Sequence, residues 1–428
     1  MRILVVGSGG REHAVIRKLK ESEHHPELLC APGNGGIAAD AECVNVAATD
    51  IDGIIRLCRE RAVDYVCVTP DDPLALGMVD ALKKAGIPAF GPDQAAARIE
   101  SSKVFSKNLM KKYGIPTASY EVFDDPEAAK EYIRRQNRYP AVIKADGLAL
   151  GKGVILAGTE AEAMEAVDHL MVDKAFGASG NRVVIEEFLS GIEVSVLAFA
   201  DGTTVVPMVS SMDHKRAEDN DEGLNTGGMG TIAPSPFYTA EAAERCRKEI
   251  FLPTMEAMRK EGCPFHGCLY FGLILTEDGP KVIEYNSRFG DPETQSVLPL
   301  LEGDLADIMR ACTDGTLNES MVHWKDGAAA CVIEASGGYP GSYEKGKEIF
   351  GLDENGQAEG VTVYHAGTVK KDGRYYTNGG RVLGITALGA SLKDALAKAY
   401  GGVERVTFDG MHVRHDIGAK ALRKGTDE

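Results

Sequence analysis

The stretch EYNSRFGDPETQ, residues 284 to 295, closes a strand-like run that begins K-V-I and ends in a Gly/Pro turn. Side chains two apart share one face of a strand, so Glu284 and Asn286 point the same way. A carboxylate oxygen and an amide oxygen at that spacing can share a hard cation. Without one, burial would be costly, because an uncompensated carboxylate and an amide oxygen would both lose their hydration. Magnesium favours few protein oxygens completed by phosphate oxygens, which suits a Glu/Asn pair better than an all-protein cage. A surface ion-pair network is the plain alternative, and the rest of the chain decides between them by supplying a phosphate site or not.

A chain of 428 residues is too long for one ordinary core and predicts two to four domains. Hydrophobic residues at 44% and charged ones at 26% are globular values. The net charge of −17 opposes nonspecific attraction to nucleic acid or anionic membrane. An anionic ligand must therefore meet local cations or a metal. Nine cysteines, none in a C-x-x-C pair, read as buried thiols in a reducing compartment, so a cytoplasmic protein is expected. Met1-Arg2 leads straight into ILVVG without a cleavable signal, and no apolar run approaches the roughly 20 residues of a membrane span.

The first hundred residues alternate strand and helix. ILVVG (3–7), ELLCA (27–31), YVCVT (65–69) and PAFGP (88–92) are short apolar runs ending near Gly or Pro, and a helix between them carries Leu76, Val79 and Leu82 on one face. This predicts a doubly wound parallel sheet. From Ser101 the grammar changes. A helix through KVFSKNLMKKYGIP leads to the strand YEVF, and Asp125 caps a helix with Pro126 at its first position. AVIKAD, VILAG and RVVIEEF are further strands, with a capping box T-E-A-E at 159–162. Residues 191–290 read as antiparallel, with hairpins through Asp201-Gly202 and Asp278-Gly279-Pro280. After Gly327, AAACVIEAS, GVTVYHAGTV, RVLGITALG and RVTFDG alternate strand and loop with one helix near Ser391 to Ala399.

Two glycine-rich segments could supply the phosphate site. GSGGREH (7–13) follows the first strand, where free N–H groups and the positive end of a helix can meet a phosphate. The dinucleotide pattern fails: its last glycine position is Glu12, and the second strand ends at Ala31-Pro32 without an acid for a ribose. A monophosphate held partly by Arg11, or a structural turn, fits the string. KADGLALGKG (144–153) resembles a Walker A loop, but three residues rather than four separate Gly147 from Gly151-Lys152, Gly153 replaces Ser/Thr, and the loop joins two strands. Bracketed by Lys144 and Lys152, it can fold over a triphosphate or be a plain hairpin with solvated lysines. Glu186-Glu187-Phe188-Leu189 ends a strand whose backbone could meet a flat base. His214 and His365 have no metal-ligand companions at suitable spacing, and no Ser/His/Asp or Cys/His nucleophile pattern stands out.

Taken in order, GSGGREH, APGNGG (31–36), IKADGLALGKGV (143–154), IEEFLSGIEVS (185–195), DHKR (213–216), NTGGMG (225–230), EYNSRFGDPETQ, HAGT and TNGGRVL resemble the phosphoribosylamine–glycine ligase family of ATP-grasp enzymes over essentially the whole chain. The resemblance implies a multidomain α/β and α+β fold: an N-terminal doubly wound domain (1–102), an ATP-grasp domain (103–326) with a lid at about 115–190 and a body at about 191–326, and a small mixed C-terminal domain (327–428). It further implies ATP as substrate and Mg²⁺ or Mn²⁺ on Glu284 and Asn286. Lys103, Lys144 and the loop carrying Gly147, Gly151, Lys152 and Gly153 would meet the phosphates, Glu186, Glu187, Phe188 and Leu189 the adenine, and Glu193 the ribose. Gly9, Gly10 and Arg11, with Pro70 and Asp71, would bind 5-phosphoribosylamine. Asp213, Arg288, Gly290, Asp291, Pro292 and Glu293 would surround glycine, with Arg288, Lys144 and Asp213 as catalytic side chains. One segment departs from the pattern: TPDDPL (69–74) stands where G-P-E-x-P-L is usual, and Leu224 replaces a proline. The implied partners are small molecules, with no nucleic acid or membrane, and a monomer or small homo-oligomer is expected. Another ATP-grasp ligase or carboxylase, or a noncatalytic nucleotide-binding module, are the competing readings.

Overall fold

The computed structural model describes residues 1–148 and 153–424. Apolar runs with no polar alternation form strands covered on both faces. Arg2–Gly7 (β1), Glu27–Pro32 (β2), Glu42–Cys43 (β3), Tyr65–Val68 (β4) and Ala89–Phe90 (β5) build a parallel sheet in the order β3-β2-β1-β4-β5. The order reverses at β1, so the crevice beyond the ends of β1 and β4 is the switch point where such sheets bind ligands. GSGGREH leaves β1 there and TPDDPL leaves β4. The expected helix carrying Leu76, Val79 and Leu82 is two helices, Asp71–Ala75 and Met78–Lys84, because Gly77 takes φ +85° between them. Val79 and Leu82 are buried as expected, but Leu76 is 55% exposed.

Tyr120–Phe123 (β6), Ala141–Ala145 (β7), Val154–Ala157 (β8) and Val183–Glu187 (β9) form an antiparallel sheet in the order β6-β9-β7-β8. Helix Pro126–Gln136 is capped by Asp125, and Glu160–Val167 by Thr159. In the second cap Glu162 reaches back to the N–H of Gly158, one residue earlier than the expected box. The helices' Ala129, Ile133, Ala163 and Val167 pack against Ile143 and Ile185 in a core of the lid's own.

Ile192–Asp201 (β10), Val205–Pro207 (β11), Met212–Asp213 (β12), Arg216–Glu218 (β13), Glu222–Asn225 (β14), Gly230–Ala233 (β15), His266–Thr276 (β16) and Gly279–Asn286 (β17) follow. The body sheet runs β11-β10-β16-β17, antiparallel throughout. Leu273 pairs with Val282 while Gly272 pairs with Glu284, so Ile283 is an extra residue in β17. Beyond that bulge Tyr285 turns into the core against Phe271, and Glu284 and Asn286 face a cleft. Gly272 accommodates this: a Cβ there would meet Glu284 Cγ at 3.0 Å.

The C-terminal sheet is built on Ala328–Ser336, Thr362–His365 and Arg381–Gly389, and β12 and β15 join it through β15 pairing with Ala328–Ser336. Met212–Asp213 and Gly230–Ala233, which the sequence reading placed in the body, are thus strands of this sheet, while β13 and β14 between them pair only with each other. A single core runs from Ile3 and Val5 through Phe90, Phe289 and Phe199 to Leu305 and Met309, and fuses the N-terminal sheet to the body. All nine cysteines are free thiols, eight of them buried. No described helix is long and apolar enough to cross a membrane.

One core residue breaks the pattern. Glu334, in the central strand of the C-terminal sheet, is fully buried, and neither carboxyl oxygen has a hydrogen-bond partner among the described residues. Burial alone drives its pKa well above the usual value. A raised folded-state pKa contributes stability below the unfolded value and loses it as pH rises through the folded one. Glu334→Met is therefore expected to stabilise the protein by about 2 kcal/mol at pH 8 and by less at pH 5, measured by urea denaturation. An equal difference at both pH values would contradict the assignment.

Candidate active site

A cleft of about 870 Å³ opens between the lid sheet, the body sheet and the switch point of the N-terminal sheet. Helix Lys103–Tyr113, capped by Ser102, carries Lys103 and Lys107 one turn apart, and both line the cleft beside Lys144 at the end of β7. Lys144 and Lys107 share one counter-ion: Glu186 on the neighbouring strand β9 lies 3.0 and 2.9 Å from them, and Lys107 also donates to Thr117 at 2.8 Å. Burial pulls the Lys107 ammonium down to about 8, with Glu186 opposing. Burial likewise lowers Lys103, with Glu284 opposing, and Lys103 donates to the carbonyl of Gly147 at 3.1 Å.

The Glu186 side chain thus turns inward as a counter-ion. What remains for a base is the chain beyond it. Glu187 Oε1 accepts the Ser119 N–H at 2.9 Å, and Phe188 and Leu189 lie past the strand end in the cleft wall, with no backbone hydrogen bond among the described residues. Gly147 is closely packed, since a Cβ there would meet Ser179 Oγ at 2.3 Å, and Gly153 accepts from Ala145 N–H. Gly151 and Lys152 lie outside the described residues.

Glu284 and Asn286 face the cleft together, as their spacing predicts. Burial favours a neutral Glu284, but Lys215, Lys144, Lys103 and Arg288 outweigh it and hold the carboxyl below its usual value. It accepts no hydrogen bond among the described residues; Lys215 is 3.9 Å from it and 3.4 Å from Glu193. An ionised carboxylate with free lone pairs, beside an amide oxygen with one lone pair committed to Arg288 at 2.8 Å, suits a hard cation. The same Arg288 nitrogen is held by Glu100 at 3.0 Å, and burial fails to displace its charge because Glu100, Asp71 and Glu293 surround it.

At the switch point the Gly9 N–H is already taken by Glu12 Oε2 at 2.5 Å, whose other oxygen accepts from Arg11 Nε at 2.9 Å. Arg11 also reaches the carbonyl of Phe289, 3.3 Å away, which Arg288 shares. Arg11 and Asp71 line the cleft; Gly9, Gly10, Pro70, Gly290 and Pro292 are not among its lining residues. In TPDDPL the turn survives, with Thr69 Oγ1 donating to the Val6 carbonyl at 2.5 Å and Asp71 opening a short helix. Asp71 is ionised below its usual range, since Arg288 and Arg11 override burial.

The far wall gathers three carboxylates. Asp213 is pushed well up by burial and then by Glu293, while Asp291 is held down because Arg381 and Arg11 outweigh burial. Arg381, from the strand Arg381–Gly389, donates to the carbonyls of Gly227 and Asp291 at 2.7 and 2.8 Å and pairs with Asp291 Oδ1 at 3.3 Å. Gly228 allows the close approach: a Cβ there would meet Pro292 Cδ at 2.4 Å and Asp213 Oδ1 at 2.6 Å. The two open histidines are structural pins. His214 bridges the Gly230 carbonyl and the Gly418 N–H, and His365 bridges Thr368 and the Gly356 carbonyl; burial lowers them to about 4 and about 3.

Lys107, Lys215, Glu100 and Arg381 were not singled out by sequence. Lys107 repeats Lys103 at helical spacing, and Lys215 and Arg381 sit inside DHKR and TNGGRVL, so each left a trace. Glu100 left only a carboxylate in a helix's last turn.

The chain matches the family profiles described as phosphoribosylglycinamide synthetase N domain over residues 1–100, ATP-grasp (A) domain over 101–294, and C domain over 329–420. It is 47% identical to phosphoribosylamine–glycine ligase of Caldanaerobacter subterraneus over 98% of this chain and 100% of that one. It is 48% identical to the trifunctional purine biosynthetic protein adenosine-3 of Gallus gallus, over 98% of this chain and 42% of that protein. Among solved structures, phosphoribosylamine–glycine ligase of Thermotoga maritima superposes with a TM-score of 0.85 at 36% identity, covering 97% of this chain and 100% of that one. The biotin carboxylase of Campylobacter jejuni shares the fold, with a TM-score of 0.74 at 15% identity over 96% and 92% of the two chains. With matching profiles over its N-terminal, ATP-grasp and C-terminal regions, the chain belongs to the phosphoribosylamine–glycine ligase family of ATP-grasp proteins.

Proposed function

We propose that the chain ligates glycine to 5-phosphoribosylamine at the expense of ATP, giving glycinamide ribonucleotide, ADP and phosphate in purine synthesis. The observation that carries this reading is the ionised Glu284, hydrogen-bond-free among the described residues, amid Lys103, Lys144, Lys215 and Arg288, in a cleft that runs on to Arg11 and Asp71 at the switch point. One end suits a metal-bound triphosphate, the other a phosphorylated sugar.

The carboxylate of glycine is a poor electrophile until one oxygen becomes a leaving group. In the proposed route that oxygen attacks the γ-phosphorus and ADP departs. The amine of phosphoribosylamine then attacks the acyl carbon of glycyl phosphate, a proton leaves the nitrogen, and phosphate is released. The protein's share is positioning and charge neutralisation. Lys103, Lys107 and Lys144 receive the phosphates, the chain beyond Glu186 receives the base, and Glu193 the ribose. Asp213 and Glu293 face the ammonium of glycine, and Arg288 meets charge building on the transferring phosphoryl group. Mg²⁺ or Mn²⁺ held by Glu284 and Asn286 would supply Lewis-acid neutralisation of the phosphate oxygens. The composition and free thiols support a cytoplasmic setting.

ADP release is expected to require glycine together with freshly made phosphoribosylamine; bicarbonate-dependent release, or ATP binding without turnover, would contradict the reading. Arg288→Ala is expected to lower turnover about a hundredfold, equivalent to about 3 kcal/mol, and near-normal turnover would remove Arg288 from the chemistry. Lys107, near 8 in the free protein, binds a triphosphate best when protonated, so ATP affinity measured by calorimetry should fall as pH rises from 7 to 9. In Lys107→Met that fall should become shallower, and an unchanged slope would exclude Lys107 from the phosphate site.

A further inference from the structure

Arg288 is gripped by a helix of the N-terminal domain. Glu100 sits in the last turn of the helix Gln94–Ser101 and is 9% exposed. A carboxylate there is disfavoured twice, by burial and by the negative pole of the helix. Three contacts, all to two consecutive residues, work against this, though burial and Asp71 still hold its pKa above the usual value: Oε2 accepts the Ser287 N–H and the Ser287 hydroxyl, both at 2.8 Å, and Oε1 pairs with Arg288 Nη2 at 3.0 Å.

The same Nη2 donates to Asn286 Oδ1 at 2.8 Å, and Nη1 to the Phe289 carbonyl at 3.3 Å. Two further carboxylates, Asp71 and Glu293, pull on the guanidinium through space, yet among the described residues Arg288 hydrogen-bonds to neither. Glu100 is the only carboxylate ion-paired with Arg288 among the described residues. It also fixes the backbone between Asn286 and Arg288, so one side chain sets the spacing between the amide oxygen and the guanidinium.

We infer that Glu100 is a positioning residue for phosphoryl transfer: it holds Arg288 away from Asp71 and Glu293 and in register with Asn286. This rests on the proposed role of Arg288. Loss of Glu100 frees the guanidinium to rotate onto either carboxylate, which weakens its hold on the transferring group while leaving the nucleotide's base and ribose contacts untouched. The signature is a fall in kcat with little change in KM for ATP.

Steady-state ADP release is compared for the unmodified protein, E100Q, E100D, R288A and E100Q/R288A, with folding checked by thermal denaturation. E100Q is expected to lose about thirtyfold in kcat with KM for ATP within about threefold, and E100D to recover part of the loss. In the R288A background E100Q should cost less than about twofold more, because its route through Arg288 is already gone. Equal losses in both backgrounds, or unchanged kcat in E100Q, overturn the inference. If E100Q does not fold, E100D and E100D/R288A make the same comparison. An R288A enzyme of normal turnover points instead to failure of the reading on which the inference rests.

Discussion

Charges gathered in a sheltered cleft must neutralise one another without consuming the groups the ligands need, and the architecture follows from that constraint. Removing one partner of a buried pair strands the other, at a cost of about 3–5 kcal/mol. Lys107 and Lys144 therefore divide Glu186, Arg288 leans on Glu100 and Asn286, and Arg381 holds Asp291. Apart from Lys144–Glu186 within the lid sheet and Arg288–Asn286 within one turn, the pairings join different parts of the chain. Lys107 comes from the helix entering the lid, Glu186 from the lid sheet, Glu100 from the N-terminal domain and Arg381 from the C-terminal sheet. The site exists only when all of them are folded against one another. A net charge of −17 is compatible with an anionic substrate because cations converge on this cleft.

Glu284 is the exception. It is surrounded by cations at a distance but accepts no hydrogen bond among the described residues, so its negative charge is stabilised while its lone pairs stay available. The bulge at Ile283 aims it there, and Gly272 beneath it leaves the room. The core beneath β17, with Phe271 and Tyr285, makes that geometry rigid, as a preorganised site requires.

Much of this was legible in sequence because it depends on local spacing. Period two put Glu284 and Asn286 on one face, the capping residues Asp125 and Thr159 marked helix starts, and apolar runs marked the parallel strands. What failed depends on single dihedral angles or distant partners. Gly77 adopts a left-handed conformation that splits a helix and leaves Leu76 outside. Met212–Asp213 and Gly230–Ala233 join a sheet whose central strand begins about a hundred residues later, so their hydrophobic pattern could not name their strand partners. The motif marks Glu186 for a base contact through its backbone but does not disclose that its side chain turns to two lysines. Glu100 meets Ser287 across 187 residues of chain, and no local pattern encodes such a pairing.

The central claim is that the oxygens of Glu284 and Asn286 and a nucleotide's terminal phosphates share one divalent ion. Anomalous diffraction at the manganese edge, from crystals grown with Mn²⁺ and a non-hydrolysable ATP analogue, tests this directly. The account predicts a peak about 2.2 Å from an oxygen of each side chain and from phosphate oxygens. A bound analogue whose manganese touches neither side chain would contradict it.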